Sequence, residues 1–127
     1  MGERQALQIA VAIAALVPIS AGGAGVFFGP AMVDVADAPH AADSHFRYLS
    51  GLLLGIGLAF VTTIPRIETH TARFRVLAAI VMVGGLGRLL SLVLHGYAGT
   101  PMLFALVMEL AITPGLALWQ ARVGRSA

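Results

Sequence analysis

The sequence has no cysteine and no lysine among its 127 residues, and it has few charges of any kind. Without cysteine there can be no structural disulfide and no thiolate metal site. Asp, Glu, Lys and Arg together make up 11% of the chain, whereas soluble domains carry about 25%. The chain therefore lacks the polar surface of a soluble domain.

What the sequence does contain is mostly apolar. Hydrophobic residues make up 58% of the chain, and its mean hydropathy is +0.89. A domain this small leaves much of its surface exposed, so it could not hide that much apolar area from water. The net charge is +2, but the eight arginines are scattered and form no basic stripe, which argues against nucleic-acid binding. We expect a membrane protein.

Four apolar segments predict four transmembrane helices. The first is 22 residues long and uncharged, enough to cross about 30 Å of hydrocarbon at about 1.5 Å per residue. Pro65 closes the second segment, and Pro101 suits the first turn of the fourth. Because the connections are short, neighbouring helices should run antiparallel. The predicted fold is an all-α integral membrane four-helix bundle, a single domain over residues 1–127 with spans at 7–28, 44–64, 74–95 and 101–119.

The first segment also has features of a cleaved signal peptide. Arg4 precedes an apolar core, and "SAG" at 20–22 resembles a small-residue cleavage site. The apolar stretch continues to Phe28, which favours a span. Removal of residues 1–22 stays open as an alternative.

The arginines predict an orientation. They precede the first span, separate the second from the third and follow the fourth, at Arg4, Arg66, Arg73, Arg75, Arg122 and Arg125. The other two loops hold three aspartates or no charge, so the positive-inside rule places both termini in the cytoplasm. Tyr and Phe near the outer ends, with Phe74 and Trp119 near the inner ends, suggest interfacial anchors.

One arginine lies inside a span, in "GGLGRLLSLVLH" at 84–95. At 100° per residue one helix face collects Gly84, Gly85, Arg88, Ser91 and His95. A charge at a helix centre costs about 2.5–3.5 kcal/mol on insertion scales and usually turns inward to find a partner. Arg88 should therefore face the bundle.

Glu109 is the acid that is expected to pair with Arg88. It lies in the fourth span at a similar depth, about 10–13 Å below the outer boundary at 1.5 Å per residue. A bidentate pair is expected because the guanidinium fork matches a carboxylate.

A wider polar cluster is predicted around this pair, consisting of Asp43, Arg47, Arg88, Ser91, His95 and Glu109. Two arginines against one deep carboxylate would leave an excess of positive charge, suited to an anionic head group or a substrate carboxylate. The same residues could instead only lock the helices together, as interhelical polar contacts do. Both readings stay open.

Small residues and prolines mark further features of the spans. Gly51 with Gly55, and Gly25 with Gly29, form GxxxG pairs that allow close helix approach, either within the chain or in a homo- or hetero-oligomer. Pro114 should bend the fourth span beside Glu109 or form a kink that belongs to a site.

No cofactor, metal or catalytic residue is predicted. His45 and His95 are both expected at the outer ends of helices, where they could act as bis-histidine haem ligands. Such sites need paired ligands at matched depth, and this chain offers one imperfect pair. The chain has no P-loop, nucleophile elbow or HExxH motif.

Three features of the sequence are Arg47 in "FRYLSGLLLGIG", the segment "GGLGRLLS" at 84–91, and Glu109 in the fourth span. In these features the chain resembles a bacterial family of small four-span membrane proteins catalogued as a domain of unknown function. The resemblance covers nearly the whole chain. It implies an integral four-helix membrane protein and carries no established activity. We expect it in the bacterial inner membrane.

The expected function is that of a non-catalytic membrane protein. It would serve as an accessory subunit, or would bind a lipid-like or anionic ligand in an outward-facing polar pocket, with membrane lipids as partners. One alternative is a small proton-linked transporter that uses Glu109. A second is an enzyme acting on a lipid or isoprenoid, although His95 and Glu109 lie at different depths for a shared reaction centre.

Overall fold

The computed structural model describes residues 1–127, which fold into helices without any strand. The α-helices are α1 (Glu3–Phe28), α2 (His40–Val61), α3 (Thr71–His95), α4 (Thr100–Val107) and α5 (Thr113–Ser126). Short 3-10 helices occupy Gly29–Val33 and Ile67–Thr69, and a π-helical segment, Met108–Ile112, joins α4 to α5. Four helices, the last made of α4, the π-helical segment and α5, are long and apolar enough to cross a membrane. The four spans predicted from the sequence are confirmed as helices.

The second helix is shifted from its predicted bounds of 44–64. It begins at His40, directly after Pro39, and ends at Val61. The Thr62 and Thr63 hydroxyls donate to carbonyl oxygens three residues back, at 2.5 and 2.7 Å. Their side chains thus compete with the helical ladder. The chain turns before it reaches Pro65.

The fourth helix runs past its predicted end at residue 119, to Ser126. Its last turns are polar in sequence but contain buried Gln120, Ala121 and Val123. Tertiary packing therefore extends the helix beyond the apolar stretch.

The chain divides into two compact units, residues 8–64 and residues 1–7 with 65–127. In the first unit α1 packs closely against α2. A Cβ added at Gly22 would lie 2.5 Å from the backbone nitrogen of Leu54, and one at Gly25 would lie 2.6 Å from the Cβ of Ser50. Val11 and Ala15 are also buried. Cleavage after "SAG" would remove them from this core.

The glycine pairs predicted from the sequence have different environments. Gly25 and Gly29 meet Ser50 and Arg47 of the same unit, whereas a Cβ at Gly55 would meet nothing within 4 Å. A Cβ added at Gly51 would be in ordinary van der Waals contact with Val26, at 3.8 Å from its Cγ2. Oligomerisation through Gly51 and Gly55 stays a prediction.

In the second unit, the core is built around buried Phe74, Ile67 and Gln120. The Gln120 amide donates to the Ile67 carbonyl at 2.8 Å and to the Thr71 hydroxyl at 3.0 Å, which ties α5 to the start of α3. Phe74 is 1% exposed, so the prediction that it anchors the protein at the membrane interface is wrong. Its ring packs inward because the core needs its volume.

Ion pairs join the remaining parts of this unit. Arg4 donates to the Glu68 carboxylate at 2.7 Å and to the Pro65 carbonyl at 3.1 Å. Glu3 accepts from Arg122 and, at 3.2 Å, from the Trp119 indole. The backbone N–H of Glu68, which donates to its own carboxylate, and the neighbouring Arg4 lower the pKa of Glu68, and together they outweigh the opposing effect of desolvation.

The outward face of α3 is apolar along its length. It exposes a series of large side chains, Val76, Ile80, Val83, Leu86, Leu90 and Val93. An unbroken apolar face of this kind is suited to contact with lipid chains rather than with water.

Candidate functional site

The predicted contact between Arg88 and Glu109 is present and is bidentate. Nε of Arg88 donates to one carboxylate oxygen of Glu109 at 2.6 Å, and Nη2 donates to the other at 3.4 Å. Both side chains are largely buried, with 33% of Arg88 and 15% of Glu109 exposed. The arginine within the third helix is thus neutralised by the acid within the fourth.

Gly85 allows the two helices to approach closely enough for this pair. A Cβ at Gly85 would lie 2.8 Å from the Cβ of Glu109 and 2.8 Å from Cδ2 of Leu110. Real Cβ atoms do not tolerate such contacts, so the absence of a side chain at position 85 sets the distance between α3 and the π-helical segment.

The backbone that carries Glu109 is not a regular α-helix. Residues 108–112 form the π-helical segment, in which both the backbone N–H and the hydroxyl of Thr113 donate to the Met108 carbonyl. Pro114 follows and has no N–H to continue the ladder. The distortion expected beside Glu109 is therefore a π-bulge, a feature often found at functional sites.

Beside Arg88 lies a cavity of about 290 Å³ between α3 and α4, which we call the recess. Its lining consists of Gly84, Arg88, Ser91, Leu92, Gly96, Tyr97, Ala98, Gly99, Met102, Leu103 and Leu106. Arg88 is the one charged residue among them. The rest of the lining is largely apolar, with hydroxyl groups from Ser91 and Tyr97.

The connection between α3 and α4 closes one end of the recess. Gly96 ends α3 with φ +83° and ψ −165°, a backbone conformation that is nearly restricted to glycine. Tyr97 hydrogen-bonds Thr100 at 2.7 Å between the two hydroxyls. These contacts hold the four-residue connection against the start of α4.

The other predicted site residues are placed differently. Ser91 lines the recess, whereas His95 is exposed at the end of α3 and is not part of the lining. Glu109 contacts Arg88 but does not line the recess itself. The residues of the chain include no group of three or more His, Asp or Glu that could hold a metal ion.

Asp43 and Arg47 belong to the other compact unit, where they pair with each other at 2.9 Å. Nη1 of Arg47 donates to the carbonyls of Val26 and Phe27, at 2.6 and 3.1 Å. These are terminal carbonyls of α1, so Arg47 caps that helix and opposes the negative end of its dipole. The positive excess expected from two arginines and one acid is wrong, because each arginine has a carboxylate of its own.

Met102 is the site residue that sequence reasoning missed. Its sulfur accepts from Nη1 of Arg88 at 3.1 Å, and it lines the recess. Helical spacing places Met102 on the same helix face as Glu109, seven residues before it, but does not show that it contacts Arg88. A methionine in an apolar span gives no other indication of a polar contact.

The fold and the site together define a class: small all-helical proteins with four membrane-length helices and an arginine–carboxylate pair within the apolar part of the last two. The family described as "Domain of unknown function (DUF4345)" matches residues 6–120. The chain belongs to this family. No curated protein and no solved structure matches the chain.

Proposed function

We propose that the protein is a non-catalytic, multi-pass membrane protein that binds a lipid-like molecule in the recess. The observation that carries this proposal is the recess itself, an apolar cavity of about 290 Å³ with the guanidinium of Arg88 in its wall. Its volume is close to the lower end of the range for small-molecule sites, which are mostly apolar with a few placed polar groups.

A purely structural role for the Arg88–Glu109 pair would leave the recess beside it unexplained. Interhelical polar contacts in membranes average about 0.6 kcal/mol, so a lock alone gains little from a charged pair. A lock also needs no cavity beside it. A binding site needs the cavity, a fixed polar group and a route for entry, and the recess supplies the first two directly.

The position in the membrane is part of the same proposal. We place the protein in the bacterial inner membrane with both termini in the cytoplasm, supported by the arginines that flank the spans at Arg4, Arg66, Arg73, Arg75, Arg122 and Arg125. The connection between α3 and α4 then faces outward, and so does the recess. Because the chain has no cysteine, single cysteines at Ala98 and Ser126 can be labelled with an impermeant maleimide. Labelling of Ser126→Cys in intact cells, with Ala98→Cys protected, would contradict this orientation.

Native mass spectrometry of gently extracted protein tests the binding function. Wild-type protein should retain a small amphipathic molecule, and Leu92→Trp, which fills the recess, should lose it. Leu90→Trp is the matched control, because Leu90 is on the same helix, is 58% exposed and does not line the recess. Equal retention by both variants, or no retained molecule in any form, would contradict the proposed function.

A further inference from the structure

Resting on the proposed function, we propose that the recess selects a ligand whose polar group is an uncharged oxygen acceptor, such as the carbonyl of an ester or ketone. This oxygen would accept a hydrogen bond from Nη1 of Arg88 in place of the sulfur of Met102. The ligand class is thus a neutral amphipathic molecule rather than an anion.

The guanidinium of Arg88 has one nitrogen that lacks a strong hydrogen-bond partner. Nε and Nη2 are committed to Glu109, at 2.6 and 3.4 Å. Nη1 donates to the thioether sulfur of Met102, which is a weak acceptor. This side of the guanidinium has the poorest partner, and an oxygen would form a stronger bond.

The weak contact between Arg88 and Met102 is accessible from the recess. Arg88 and Met102 both line the recess, whereas Glu109 does not. A ligand in the recess can therefore reach Nη1 by displacing a flexible methionine side chain. The bidentate pair with Glu109 stays intact.

The site as a whole carries no net charge. Arg88 and Glu109 neutralise each other, and no second charged residue lines the recess. An anionic ligand would bring one uncompensated negative charge among apolar side chains, which is costly. A carbonyl oxygen brings a strong acceptor and no net charge.

The lining of the recess is largely apolar. Leu92, Leu103 and Leu106 form an apolar wall next to the guanidinium, so the ligand needs a hydrocarbon part attached to its polar group. The Ser91 hydroxyl offers a further contact to an ester or ketone. Ionised head groups find no second cation here.

The experiment compares three probes of similar length: methyl decanoate, decanoate and decane. Binding to purified protein in dodecyl maltoside is measured at neutral pH by ligand-dependent thermal stabilisation. We expect methyl decanoate to bind tightest. A hydrogen bond with a charged donor corresponds to about 10- to 100-fold in affinity, and the lost contact between Nη1 and the Met102 sulfur offsets part of this gain, so the ester should exceed decane by about 2- to 10-fold.

Two substitutions at Met102 test the exchange of acceptors. Met102→Leu removes the sulfur, so the ester should bind several-fold tighter because nothing competes for Nη1. Met102→Gln supplies an amide oxygen within the chain, so the ester should bind several-fold more weakly. Met32→Leu, at a methionine outside the recess lining, should leave binding unchanged.

Each contrary result has a distinct meaning. Tighter binding of decanoate than of the ester, or equal binding of ester and decane, would overturn the neutral-acceptor inference while leaving a ligand site in the recess. Identical ester affinity in Met102→Leu and Met102→Gln would overturn it as well. If no probe binds and Leu92→Trp changes nothing in the native mass spectrum, the proposed function fails together with the inference.

Discussion

At the residue scale, the contact between Arg88 and Glu109 follows from the cost of a lone charge in an apolar span. A guanidinium needs an acceptor there, and the sequence offers one acid within the membrane-length part of the last two helices. The residue identities and their helical periodicity were therefore sufficient to predict the pair. They could not predict Met102, because its role depends on which guanidinium nitrogen is left over once Glu109 has taken the other two.

The pair can be tested by a double-mutant cycle. Arg88→Leu or Glu109→Leu alone should lower the free energy of unfolding by about 1–3 kcal/mol, because each leaves a partly buried charge unpaired. The double variant should lose less than the sum, since neither charge remains. Unfolding is followed in detergent by circular dichroism. Simple additivity would show that the two side chains do not interact.

At the element scale, the fourth span shows how far sequence reasoning extends. Pro114 indicated a distortion beside Glu109, and the structure places a π-bulge there. The helix forms a π-bulge and not a simple bend because Thr113 contacts Met108, and no pattern in the sequence predicts this contact. Likewise, the helix ends at Val61 and Ser126 depend on the threonine hydroxyls and on buried Gln120, so hydropathy misplaced both.

The fit between α3 and the π-helical segment depends on Gly85. Gly85→Ala should separate the two elements, lengthen the Arg88–Glu109 contact and lower the melting temperature, because its Cβ would lie 2.8 Å from that of Glu109. Gly87→Ala, where a Cβ meets nothing within 4 Å, should be neutral or slightly stabilising through helix propensity. Thermal unfolding of both variants is the measurement. Equal melting temperatures would contradict the close approach.

At the scale of the whole molecule, each compact unit neutralises its own intraspan or boundary arginine. Arg47 is answered by Asp43 and the end of α1, and Arg88 is answered by Glu109. The hydropathy and length of each segment were enough to predict four helices, because both are local properties of the sequence that do not depend on tertiary contacts. The positive excess expected for the wider cluster was wrong, because helical periodicity gives a direction for a side chain but not its partner.

Glu68, which pairs with Arg4 from a distant part of the sequence, gives a pH-dependent contribution to stability through its own backbone N–H and through Arg4. The pKa of Glu68 is lowered in the folded state, so this contribution is complete above the ordinary pKa of a glutamate and is lost as the pH falls through the lowered folded value. Glu68→Gln should therefore flatten the acid side of the stability profile. Thermal unfolding across the acidic range compares the variant with wild type. An unchanged profile would show that the Glu68 carboxylate makes no pH-dependent contribution to stability.

The central claim is that the recess beside Arg88 holds a ligand. A crystal structure of wild-type protein grown from a lipidic phase tests this most directly. We expect elongated density between α3 and α4, with a polar end within hydrogen-bond distance of Nη1 of Arg88 and the bidentate contact to Glu109 preserved. A recess filled by the protein's own side chains, or an Arg88 turned outward and away from Glu109, would contradict it.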